Sequence, residues 1–175
     1  MSVILAVDPG LTRCGYAILR GDEALDYGHF TSESTEDPTN RVGSIAASLV
    51  ELCDKYEPSL VALERVFANA NLRSVMGVAQ ISGALMAHAH SASIPVEFFT
   101  PSEVKAAVTG NGRATKEQVG FMVAKLLGLD SVPKPADVAD ALAVALCAQR
   151  RSQSFSTPAR QKWVAAAKQA RPRLG

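Results

Sequence analysis

The chain has 175 residues, 47% of them hydrophobic and 20% charged, with a net charge of +1. That length supports one domain with a real core, and no apolar run approaches the ~20 residues of a membrane-crossing helix, so no such helix is expected. Three scattered cysteines, Cys14, Cys53 and Cys147, suggest neither a metal site nor a disulfide framework; with no basic leader or cleavage site at the N-terminus, they predict a cytoplasmic location.

Ser2 to Asp8 reads as a buried strand, short and rich in Val and Ile. Pro9-Gly10 is a turn. Cys14 to Arg20 and Ala24 to Ser32 read as two more strands, linked by Gly21-Asp22. Links this short predict an antiparallel meander. Thr39 to Tyr56 has helical spacing (Val42, Ile45, Leu49, Leu52, Cys53) and stops at Pro58. Leu60 to Glu64 is a fourth strand, Asn71 to Ser91 a long helix, and Pro95 to Phe99 a fifth strand. Thr100-Pro101-Ser102-Glu103 supplies an N-cap, a proline at the first helical position and a capping-box acid. Thr115-Lys116-Glu117-Gln118 repeats the device after the flexible turn Gly110 to Arg113. Pro135 to Gln149 is a final helix whose alanines permit close packing. The order βββαβαβααα predicts an α/β protein: a mixed five-stranded sheet, an antiparallel meander plus parallel strands, with helices on both faces. Pro158 to Arg171 reads as a loose basic helix.

The charge is unevenly spread. Through Gln149 there are 17 acidic and 11 basic residues, a net of −6; from Arg150 onward there are seven basic residues and no acid. A basic tail on an acidic body suggests a polyanionic partner, although a solubilising tail has the same composition.

Four acids interrupt otherwise apolar sequence. Asp8 ends the first strand and Glu64 the fourth; Asp137 and Asp140 lie three apart at the start of an apolar helix. If strands one and four are parallel neighbours, both terminal carboxylates emerge at the edge where open α/β sheets bind ligands. The helical pair shares one face, near the positive end of the helix dipole. Each acid has an ordinary reading alone: a turn residue before Pro-Gly, a solvated strand end, a dipole partner. Asp140 fits that reading least, because apolar residues surround it. Together, four carboxylates in a dry place need neutralising, and oxygen ligands suit Mg²⁺, a pair of which suits phosphodiester cleavage.

Val7-Asp8-Pro9-Gly10-Leu11-Thr12-Arg13-Cys14-Gly15 resembles the opening of the RuvC family of Holliday-junction resolvases. So do Leu63 to Asn69, Thr100 to Gly112, Lys116 to Val119 and Ala136 to Ala143, all in order between about Val3 and Gln149. The resemblance implies an RNase H-like fold; we read a nuclease domain over 1–150 and, beyond the stretch the family pattern matches, a basic C-terminal tail over 151–175. It implies cleavage of four-way junction DNA by a homodimer in recombination and repair, and the RuvA–RuvB branch-migration complex as a partner. It makes Asp8, Glu64, Asp137 and Asp140 the metal-binding catalytic acids, holding two Mg²⁺ per subunit with Mn²⁺ as a substitute.

DNA contacts are carried onto Lys105 and Lys116, the latter beside a helix N-terminus that also favours phosphate. Phe67 follows the catalytic strand in a polar neighbourhood, where an exposed aromatic stacks on an unpaired base; as a core residue it would do neither. Arg13 and Arg73 are further DNA-contact candidates. The helix from Asn71 is apolar on more than one side, which fits either deep burial or a face shared with a partner; the resemblance implies a dimer contact there. His88 and His90 read as surface or packing residues. An acidic body repels phosphate unless metal and lysines invert its field, so binding should depend strongly on salt. The competing readings are a nuclease of the same fold processing structured RNA, an ATPase module suggested by Asp8-Pro9-Gly10, and a junction-binding protein without catalysis. The chain is too short for the two lobes of the second, and the four acids argue against the third.

Overall fold

The computed structural model describes residues 2–65 and 72–155, with the side chains of 72–74 and 154–155 excepted. Phe67, the side chain of Arg73 and the basic helix expected over Pro158 to Arg171 lie outside that description.

The strands are β1 (Val3–Asp8), β2 (Arg13–Arg20), β3 (Glu23–Thr31), β4 (Leu60–Glu64) and β5 (Val96–Phe99). The helices are α1 (Pro38–Tyr56), α2 (Leu72–Ser91), α3 (Pro101–Thr109), α4 (Lys116–Leu127) and α5 (Ala136–Phe155). The sheet order is β3-β2-β1-β4-β5. β1 pairs antiparallel with β2 and parallel with β4; β2–β3 is antiparallel and β4–β5 parallel. The meander and the mixed sheet are as the sequence predicts.

β1 is central and buried on both faces, which is why it reads as an unbroken apolar run. Ile4 and Ala6 point to one core with α3, α4 and α5, while Leu5 and Val7 point to another with α1 and α2. Each large side chain so buried contributes about 1.5–3 kcal/mol. Both capping boxes form: Thr100 with Glu103, and Thr115 with Gln118. They end the preceding loops sharply and set where α3 and α4 begin. α1 begins after Asp37, whose carboxylate accepts bonds from the amides of Thr39 and Asn40.

One boundary departs from expectation. α5 continues six residues past Gln149 to Phe155. Arg151 holds this last stretch down, with Nη2 2.9 Å from Glu103 Oε1, Nη1 3.4 Å from Glu97 Oε2, and its guanidinium 4.0 Å from the centre of the Phe99 ring. Arg150 also donates to the carbonyl of Ala107. Two residues that look like the start of a tail are therefore helix anchors.

Candidate active site

The parallel register pairs Val7 with Leu63. The next residues, Asp8 and Glu64, thus leave neighbouring strands at the same end of the sheet. α5 brings the other two acids. Its first turn lies directly on β2 at Gly15, where a Cβ would sit 2.0 Å from the carbonyl oxygen of Asp137. Only glycine permits that approach, and the approach carries Asp137 and Asp140 to the strand ends.

All four acids line one cavity of about 420 Å³, joined by Lys105, Lys116 and Arg65. Lys116 opens α4, and its Nζ lies 2.8 Å from Asp140 Oδ2. Arg13 opens β2, and its Nε lies 3.0 Å from Asp137 Oδ2. That pair is close but not aligned: Asp137 Oδ2 is buried and accepts no hydrogen bond. The ion pair therefore supplies charge while leaving the oxygen's lone pairs unused.

The electrostatics are those of crowded like charges. Burial first, then the neighbouring carboxylates of Glu64, Asp140 and Asp137, push Asp8 from the ordinary 3.8 up to about 9. A hydrogen bond between the Asp8 and Glu64 carboxyls raises Asp8 further and lowers Glu64, so the two titrate as a pair. Glu64 is raised chiefly by burial, and its bond with Asp8 and the charges of Lys116 and Lys105 pull the other way. Lys116 is raised through its bond to Asp140. Such a cavity favours any positive charge that can replace its protons.

As they stand, no three His, Cys, Asp or Glu side chains among the described residues converge closely enough to ligate one ion. Lys116 and Arg13 engage Asp140 and Asp137 separately. The residues nevertheless fit a hard divalent cation. The donors are carboxylate oxygens, one of them buried with its lone pairs free, in a cavity whose negative charge is offset by protons and by the basic side chains of Arg13, Arg65, Lys105 and Lys116.

A family model described as crossover junction endodeoxyribonuclease RuvC matches residues 4–148. The chain belongs to the RuvC family. It is 43% identical over 171 residues to the crossover junction endodeoxyribonuclease RuvC of Parafrankia sp. (strain EAN1pec), covering 92% of this chain and 96% of that one. It is 44% identical to the protein of the same description from Thermobifida fusca (strain YX), covering 98% of each. Its fold superposes on a solved structure described as T. thermophilus RuvC in complex with Holliday junction substrate, with a TM-score of 0.81 at 32% identity, covering 88% and 97%. The fold is accordingly RNase H-like.

Of the predicted site residues, the structure gathers Asp8, Glu64, Asp137, Asp140, Lys105 and Lys116 around one cavity, and places Arg13 on Asp137. Phe67 and the Arg73 side chain lie outside the described residues. Sequence reasoning missed Arg65, which lines the cavity directly after Glu64 and lies 5.6 Å over the Phe98 ring; its adjacency to a strand-terminal acid was the available signal. The expected two-sided apolarity of α2 is present. Ile81, Leu85 and Ala89 face the core, while Met76 and Met86 are exposed. Among the described residues no helix is long and apolar enough to cross a membrane.

Proposed function

We propose that this protein is a metal-dependent structure-specific endonuclease that resolves Holliday junctions by paired nicks in recombination and repair. The observation that carries the reading is the meeting of four carboxylates and two lysines in one cavity of a RuvC-family fold.

In this reading Asp8, Glu64, Asp137 and Asp140 would hold the divalent metal. Two Mg²⁺ held by these residues, or Mn²⁺ in their place, would supply Lewis-acid polarisation of the scissile phosphate and a more acidic water near neutral pH. The remaining work falls to the chain. The sheet end and the first turn of α5 carry the four carboxylates to one cavity before substrate arrives, and metal binding would draw them the remaining distance together. Lys116 and Lys105 stand at the same cavity and hold phosphate oxygens of the cleaved strand. Substrate phosphate competes with Asp140 for Lys116, which frees that carboxylate as DNA binds. The products carry 5′-phosphate and 3′-hydroxyl ends. Phe67, Arg13 and Arg73 contact the DNA around the crossover.

Two copies are needed for symmetric nicks. The exposed methionines of α2, beside a cavity reaching Glu64 and Arg65, support a homodimer through this helix. The family resemblance supports RuvA–RuvB as a partner and a cytoplasmic location. We assign the nuclease domain to 1–150 and a DNA-attracting role to the basic segment 151–175, with Arg150 and Arg151 serving as anchors of α5.

The test is cleavage of a synthetic mobile four-way junction, with and without Mg²⁺, mapping cuts on all four strands and running a structured RNA in parallel. Symmetric, Mg²⁺-dependent nicks that Asp8→Asn abolishes while junction binding persists are the expected result. Wild-type nicking by Asp8→Asn, or preference for the RNA, overturns the reading.

A further inference from the structure

Among the described residues, Arg41 is the one basic side chain that is buried, at 8% exposure. A buried guanidinium normally faces a carboxylate, because an unpaired charge out of water is costly. Among the described residues no acid lies within ion-pair distance of Arg41. Its contacts are hydroxyls instead. Nε donates to Ser32 Oγ at 2.9 Å, and Nη2 donates to Thr12 Oγ1 at 3.3 Å. Ser32 Oγ then donates to the carbonyl of Leu11, and the Ser32 amide donates to the carbonyl of Thr12 at 3.3 Å.

These bonds converge on the turn between β1 and β2. Asp8 precedes that turn, and Arg13, the partner of Asp137, follows it. The opposite side of the turn is also fixed. The Leu11 side chain packs on Gly77 of α2 so tightly that a Cβ there would meet it at 3.0 Å. A turn of this length needs no buried cation to form. Arg41 touches none of the four acids; its bonds run to the turn through Ser32 and Thr12.

We propose that Arg41 is a positioning residue of the acid cluster. Through Ser32 and Thr12 it fixes the β1–β2 turn, and thereby the placement of Asp8 and Arg13 relative to the first turn of α5. The inference rests on the reading of that cluster as the nuclease centre. A planar two-pronged donor is required, since a lysine supplies the same charge from a single point and cannot span both hydroxyls.

The experiment compares wild type, Arg41→Lys, Ser32→Ala and the double variant. It measures melting temperature, metal-free junction binding, single-turnover nicking rate and the Mg²⁺ concentration giving half-maximal rate. Arg41→Lys is expected to bind the junction like wild type yet nick it roughly tenfold more slowly or worse, the scale on which small misplacements act. Its Mg²⁺ requirement should rise and excess Mg²⁺ should recover part of the rate. Ser32→Ala should shift both quantities the same way, and the double variant should be no slower than the slower single, because both act along one path. Should Arg41→Lys fail to fold, Ser32→Ala decides alone. Folded variants with wild-type rate and wild-type Mg²⁺ requirement, whatever their melting temperatures, overturn the inference and leave Arg41 a structural brace; so do effects that multiply in the double variant. A wild type that cuts no junction overturns instead the function on which the inference rests.

Discussion

Replacing Asp8 by Asn should make the metal-free protein more stable. Asp8 is ordinarily ionised above 3.8 but is held up to about 9 in the fold, by burial and then by the surrounding carboxylates. The sign follows from proton counting. Between those two values the folded state binds more protons at this site than the unfolded chain does, so stability falls as pH rises through that interval. Near pH 7 about three pH units of the interval have been crossed, at about 1.4 kcal/mol each, so the site costs the fold roughly 4 kcal/mol. Asn removes this cost, keeps the shape and still donates to Glu64. At 2–4 °C per kcal/mol for a chain of this size, the melting temperature should rise on the order of 10 °C at neutral pH. Thermal melts of both proteins in chelator across pH 4.5–8.5 read this directly. The gap should be small at the acidic end and widen upward. A variant that melts at or below wild type at pH 8, or a gap independent of pH, refutes the crowding of charge at this cavity.

Gly15→Ala should cost about 3 kcal/mol and remove nicking even where the protein remains folded, because the new methyl meets the carbonyl oxygen of Asp137 and pushes the first turn of α5 off the sheet. Denaturant midpoints, with cleavage assayed well below the transition, separate the two effects. Arg151→Met should cost about 1–2 kcal/mol by removing the ion pairs to Glu97 and Glu103 and the contact over Phe99, while nicking per folded molecule stays unchanged. A loss of nicking there, with stability intact, would place the far end of α5 in the chemistry.

The acid cluster was legible because each member breaks a local rule. A carboxylate ends an apolar strand, or sits in an alanine-rich helix, where burial alone would select something else. The capping boxes were legible because their partners are three residues apart. What stayed hidden depends on partners distant in sequence. Arg151 reads as tail, since nothing near it announces Glu97, Glu103 or Phe99. Arg41 reads as a solvated residue in the first turn of a helix, because its hydroxyl partners belong to other elements. Gly15 reads as an unremarkable strand glycine until the helix laid across it is known, 122 positions downstream at Asp137. The lysines fall between these cases: Lys116 follows a visible cap, but its bond to Asp140 requires two helices to dock.

α5 is both the last described element of the chain and its most deeply enclosed helix, with every residue from Ala141 to Gln149 buried. A chain still emerging from the ribosome and not yet past Ala136 has neither the centre of one core nor two of the four acids. The docking of this one late helix therefore completes the buried core and the carboxylate cluster together.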